Sequence, residues 1–305
     1  MERKTMKAAV SELKQKKNAV ILAHYYAPAE AQEIADYVGD SFYLAKMAKQ
    51  SDADMIVFCG VSFMGESAKL LCPDKKVLMP DLGADCPMAH MASEEKIAEL
   101  RKLYNDLAVV CYINSTAKLK ALSDVCVTSS NAIKIVSALP NKNVFFIPDA
   151  HLGEFVKEKL GGEKNIILND GYCPVHTKMS LDSVRDLQKQ HPNAKTLTHP
   201  ECKREILEVS DFIGSTLEII NFAKADNGEE YIICTEEGVE FKLRSDSPRK
   251  SFFFPKPCPC CVDMKLNTLE NIYKVLDLEI NEVTVDESVA QRAMLPLERM
   301  LELGK

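Results

Sequence analysis

Short apolar runs alternate along this chain with longer stretches of helical period, and most of the runs end in polar residues. Residues 2–17 predict an amphipathic helix. The run Asn18 to Ala23 is too short and too β-branched for a helix and predicts a buried strand, which ends in His24-Tyr25-Tyr26. Residues 29–49 return to helical period. They are interrupted at Gly39-Asp40-Ser41, which reads as a helix stop followed by a Ser41 N-cap. Asp54 to Cys59 and Lys76 to Met79 predict two more strands, with a helix opening at Gly60 between them. Strand, helix, strand, helix, strand is the pattern of a parallel α/β unit.

The unit then recurs. A helix at Ser93 to Tyr104 precedes strands at Ala108 to Ile113, Asp124 to Val127, Asn143 to Ile147 and Asn165 to Leu168. A helix at Ser180 to Gln190 precedes strands at Ala194 to Thr198, Asp211 to Ile213 and Tyr231 to Cys234, the last of that set. Residues 244–259, with four prolines, predict a long irregular crossing. Two signatures mark the copies: Cys-Pro before a helix (Cys86, Cys173), and an Asp-led strand running into Ser or Thr (Asp54, Asp124, Asp211). Cys86 and Cys173 lie 87 residues apart, and Cys173 and Cys261 lie 88 apart. The first copy lacks a Cys-led helix, and Cys261 with the helix Asn267 to Val275 supplies one from the other end. The expected fold is α/β: three homologous three-layer αβα lobes around a pseudo-threefold axis, with a central active-site cavity. The lobes are residues 1–85 with 261–305, 86–172 and 173–260.

Composition narrows this. The 305 residues are 46% hydrophobic and 27% charged, which suits a globular protein, and the net charge of −7 argues against nucleic acid as a partner. No apolar run reaches the roughly 20 residues of a membrane helix, and Met1 to Lys17 has no signal-peptide core, so a cytoplasmic protein with no membrane partner is expected. Its 11 cysteines are then mostly reduced. Cys59, Cys111, Cys126 and Cys234 lie in apolar strands and read as small core residues.

Cys86, Cys173 and Cys261 differ, because they recur at one position of a repeat. A Cys-Pro at a strand-to-helix junction puts a thiol at a helix N-terminus, where the dipole favours thiolate, and Pro suits the first turn. Three such thiols converging on an axis suit a soft metal or an iron–sulfur cluster better than a structural zinc, which takes four ligands in local pairs. Three thiolates on four irons leave one iron open as a Lewis acid. Buried core thiols are the alternative. At the strand ends, His24 and Tyr26, Tyr112 and Asn114, and His199 and Glu201 occupy matched positions. Ser41, Ser129, Ser215 and Thr216 lie at helix starts, where anions bind and N-caps also sit. Glu201 is a candidate general base, and His176 is either a helix-face residue or a substrate contact.

The segments ILAHYYAPAEAQEIADYVGDS, PDLGADCPMA, YINST, TSSNA, GYCPVH, HPEC, GST and CVDMKLNTLE together resemble the quinolinate synthase family, in order, from about residue 18 to 301. The resemblance implies a [4Fe-4S] cluster on Cys86, Cys173 and Cys261. It implies condensation of iminoaspartate with dihydroxyacetone phosphate to quinolinate, phosphate and water, in NAD biosynthesis. It implies Tyr26 and Glu201 as acid/base groups with His176 assisting, and substrate contacts at His24, Ser41, Tyr112, Ile113, Asn114, Ser129, His199, Pro200, Glu201 and Thr216. A functional link to L-aspartate oxidase or aspartate dehydrogenase, as the source of iminoaspartate, also follows. An aconitase-like hydro-lyase and a non-enzymatic iron–sulfur sensor or electron carrier are the rival readings. Three thiols compete in Cys258-Pro259-Cys260-Cys261. Cys261 keeps the repeat interval and matches the family's segment, and Cys258 and Cys261 also form a C-x-x-C able to oxidise.

Overall fold

The computed structural model describes residues 3–305, folded around three separate parallel sheets of four strands each. The first contains β1 (Ala19–His24), β2 (Tyr37–Gly39), β3 (Met55–Cys59) and β4 (Lys76–Leu78). The second contains β5 (Ala108–Tyr112), β6 (Val125–Val127), β7 (Asn143–Ile147) and β8 (Asn165–Leu168). The third contains β9 (Lys195–Thr198), β10 (Phe212–Ile213), β11 (Glu230–Cys234) and β12 (Ser251–Phe253). All three share one strand order, with the second strand outermost beside the first and the third and fourth on the other side. The α/β class and the threefold repetition of the unit are as the sequence pattern implies.

Alternation along each central strand feeds two apolar layers. Val20 and Leu22 of β1 enter the large core shared with the second sheet, while Ile21 and Ala23 face helices Arg3–Lys16 and Leu269–Leu278 through Val10, Ile272 and Val275. In β11, Tyr231 and Ile233 face one layer, and Ile232 and Cys234 the other. The C-terminal helix Glu287–Leu303 packs on β6 and on helices Ala117–Lys120 and Ser62–Leu71, with Ala293, Leu297 and Met300 buried.

One polar interaction recurs in each unit. The carboxylates of Asp36, Asp124 and Asp211, each just before the outer strand, accept from the backbone N–H of Ile21, Val109 and Thr196, at 2.8, 2.7 and 2.7 Å. The backbone N–H of each aspartate donates back to the carbonyl of the same strand residue. This corrects the expected repeat: the first Asp-led strand starts at Asp36, not Asp54, whose strand β3 is instead the counterpart of β7 and β11.

Three further expectations change. Residues 29–49 are two helices, Ala29–Ile34 and Ser41–Gln50, separated by β2, and the N-cap of the second is Asp40, which accepts from the N–H of Tyr43. Within 244–259 lie the end of helix Val239–Asp246 and strand β12, so Tyr231 to Cys234 is not the last strand. The helix after Cys261 begins at Leu269, capped by Thr268, after a short turn at Met264–Leu266.

Asp124→Ala removes a partly buried carboxylate that also receives Arg101. It is expected to cost about 1–3 kcal/mol of stability, with Asp124→Asn losing less because it keeps an acceptor. Urea denaturation checks this, and an unmoved midpoint in the alanine variant would show that the contact is not holding the strand pair.

Candidate functional site

The carboxyl ends of the central strands open on one cavity of about 330 Å³, the low end of small-ligand sites. Three residues after each stapled strand amide stand His24, Tyr112 and His199, and five after it Tyr26, Asn114 and Glu201. Five residues after each aspartate stand Ser41, Ser129 and Thr216. All nine line the cavity, as do Cys86, Cys173, His176 and Cys261. Ile113 and Pro200 do not. Ile113 is buried in the apolar core, and its N–H is spent on the carbonyl of Val127.

The three thiols share one local geometry. Cys86 and Cys173 are N-caps of single turns beginning with Pro87 and Pro174. No cap hydrogen bond forms to the sulfur of Cys86 or Cys173, but backbone N–H groups two or three residues on favour the thiolate: Met88 and Ala89 at Cys86, His176 at Cys173, and Asp263 and Met264 at Cys261. A carboxylate in turn accepts from each cysteine's own N–H: Asp85 for Cys86 (2.8 Å), Asp149 for Cys173 (3.2 Å) and Glu236 for Cys261 (2.9 Å). Asp149 and Glu236 lie 87 residues apart at the exits of β7 and β11, an interval equal to the cysteine repeat. The matching position after β3 is Val61, and Asp85 takes over its task.

Burial nevertheless outweighs these donors. It pushes the Cys86 thiol up to about 12, with Glu201 and Cys261 adding to the rise. Cys173 is raised by burial, then by Glu201 and Cys86, and Cys261 by burial. The expectation that the helix N-terminus yields thiolate is thereby corrected: a turn of four residues supplies too little dipole to offset desolvation.

Glu201 is the charge at the centre. It is 3% exposed, and burial alone would raise it. His176, whose Nδ1 lies 2.7 Å from Oε2, together with His199 and the Tyr112 hydroxyl, draws it down to about 2. Its other oxygen, Oε1, is buried with no partner in the protein. The ring of His176 stacks on that of His199. His24 and His199 accept at Nδ1 from the N–H of Tyr26 (3.1 Å) and Glu201 (3.3 Å), which leaves the proton on Nε2. Burial holds both imidazoles near 3, with His199 adding to this at His24 and Glu201 opposing it at both. Burial, then Glu201, raises the Tyr26 and Tyr112 phenols well above their usual range, so both remain proton donors.

The family described as quinolinate synthetase A protein matches residues 8–302. The chain belongs to the quinolinate synthase family. Similar proteins bearing the name quinolinate synthase include that of Fusobacterium nucleatum, 52% identical across 98% of this chain and 99% of that protein. That of Caldicellulosiruptor saccharolyticus is 47% identical across the full length of both, and that of Clostridioides difficile 46% identical across 97% of each. As a member of the quinolinate synthase family, the chain is an enzyme of NAD biosynthesis. Among the described residues no helix is long and apolar enough to cross a membrane.

Two donor sets at the site suit a metal. Cys173, His176 and Glu201 bring ligand atoms within 4.8 Å of one another and could hold an ion. Cys86, Cys173 and Cys261 line the same cavity, and a set of thiol donors is the chemistry that suits an iron–sulfur group. Cys258 and Cys260 are exposed and lie beside Glu237. Sequence reasoning missed Asp149, Glu236, Lys265 and Thr235. The repeat interval marks the first two. Lys265, whose Nζ bonds Glu236 (2.8 Å) and the carbonyl of Tyr26 (3.0 Å), and Thr235 carry no local signal.

The nucleophilic form of a thiol is its thiolate, so a raised pKa shifts reactivity to higher pH. In metal-free, reduced protein, alkylation of Cys86 is expected to keep climbing between pH 9 and 10, where an ordinary thiol levels off. Mass spectrometry of iodoacetamide-labelled peptides reads this, and a plateau at pH 9 would contradict the burial argument.

Proposed function

We propose that the enzyme condenses iminoaspartate with dihydroxyacetone phosphate to give quinolinate, phosphate and water, in the cytoplasm, with a [4Fe-4S] cluster on Cys86, Cys173 and Cys261. The observation that supports this best is the meeting, in one cavity, of three thiols from successive repeats with a carboxylate whose Oε1 is unpartnered. The working arrangement is three lobes, residues 1–85 with 261–305, 86–172 and 173–260, about a pseudo-threefold axis with the active site between them.

When bound, such a cluster supplies an electron-poor iron that polarises the hydroxyl lost in dehydration. The protein's own groups do the rest. His24 and His199, neutral with hydrogen on Nε2, donate to substrate carboxylates. The hydroxyls of Ser41, Ser129 and Thr216, with the side chain of Asn114, hold phosphate and carboxylate oxygens. Glu201 is ionised and takes a proton from substrate carbon at Oε1. Tyr26 and Tyr112 are protonated and donate to developing oxyanions or leaving oxygens. Iminoaspartate comes from an enzyme that oxidises aspartate, L-aspartate oxidase or aspartate dehydrogenase.

Anaerobically reconstituted protein is expected to form quinolinate from the two substrates, and absence of product would refute the reading. Glu201→Gln should lower kcat by about 10²–10⁴-fold with the cluster retained. Cys261→Ser should lose the cluster's visible absorption, and a full spectrum in that variant would move the third ligand to Cys258 or Cys260.

A further inference from the structure

Thr235 follows the last residue of β11 and is completely buried behind the cavity lining, which it does not join. Its hydroxyl lies 2.8 Å from the hydroxyl of Tyr26 and 3.0 Å from Nε2 of His176. The Tyr26 hydroxyl also lies 2.7 Å from that of Thr216. These contacts make one chain from Thr216 through Tyr26, Thr235 and His176 to Glu201. A carboxylate only accepts, so Nδ1 of His176 carries hydrogen toward Glu201. Nε2 of His176 and the three hydroxyls can each give or receive, so the Tyr26 hydrogen is free to turn toward Thr235 or toward substrate while the oxygen stays held. One hydroxyl, that of Thr235, therefore links the placement of the Tyr26 phenol to that of the His176 ring.

The approach of Thr235 to Tyr26 is built into the backbone as well. Three residues on, Gly238 lies so close to the Tyr26 main chain that a Cβ there would stand 2.8 Å from it, and Gln32 ties the carbonyl of Gly238 to those of Tyr25 and Ala27. The strand that carries Thr235 is thus held against the loop that carries Tyr26.

The geometry points to Thr235 as a positioning residue that couples Tyr26 to the His176–Glu201 pair, so that the acid and the base of the reaction are oriented together. This rests on the quinolinate synthase reading of the same site. Thr235 touches neither a thiol nor the open part of the cavity, and its effect runs through its two neighbours.

The test uses reconstituted full-length protein with iminoaspartate and dihydroxyacetone phosphate. Thr235→Val keeps the shape and removes the hydroxyl. It is expected to lower kcat by roughly 10- to 100-fold with KM within about twofold, and with iron, sulfide and visible absorption per chain unchanged. Thr235→Ser, which restores the hydroxyl, should recover most of the rate. In Tyr26→Phe, adding Thr235→Val should cost little more, because the partner it positions is already gone. Unchanged kcat in Thr235→Val, no recovery in Thr235→Ser, or fully additive losses would each overturn the proposal. So would a Thr235→Val protein that binds no iron, which would make the residue a support of the fold. If wild-type protein makes no quinolinate, the functional reading itself fails. If it does and Thr235→Val matches it, only the coupling fails.

Discussion

The paired hydrogen bonds between an aspartate and the neighbouring strand are the constraint from which the site follows. Asp36, Asp124 and Asp211 each lock an outer strand to the first strand of its sheet at a fixed residue, through both side chain and main chain. Register in a parallel sheet decides which side chains stand at the carboxyl ends, and a slip of one residue would turn them to the other face. With the register pinned, the third and fifth residues beyond each strand amide, and the fifth beyond each aspartate, reach the same cavity in all three units.

The central strands and the Cys-Pro turns were legible because both are local. A six-residue β-branched run such as Ala19–His24 has few alternatives, and a thiol before proline marks a turn whatever surrounds it. β2 was hidden because three residues between two helices leave no period to detect. The longer apolar run at Asp54 drew the repeat signature away from Asp36 for the same reason. β12 was obscured by prolines that flank it rather than lie within it. Ser41 was taken for an N-cap because Ser and Asp are equally good caps, and only the backbone shows that Asp40 has the role. Thr235 could not be found locally. Its importance depends on a histidine 59 residues before it and a tyrosine 209 residues before it.

The electrostatics of the cavity depend on opposing demands. Three thiols and one carboxylate are buried together, and each raises the cost of ionising the others. Only Glu201 escapes, because His176, His199 and Tyr112 surround it. The thiols have no such countercharge, so burial disfavours their thiolate form until something cationic arrives. Binding of such a group would release protons and relieve a desolvation penalty that the folded chain otherwise carries, which ties occupancy of the site to the stability of the protein.

The nine cavity positions also record how a repeated scaffold serves an unsymmetrical reaction. At the three helix starts the side chains are all hydroxyls: Ser41, Ser129 and Thr216. At the fifth position after each paired strand amide they are a phenol, an amide and a carboxylate: Tyr26, Asn114 and Glu201. The helix-start ring has kept its chemistry across the copies, the ring of His24, Tyr112 and His199 differs at one seat, and the ring of Tyr26, Asn114 and Glu201 has diverged completely. The repeat supplies three equivalent seats in each ring, and divergence in two of the three rings gives the cavity distinct ends.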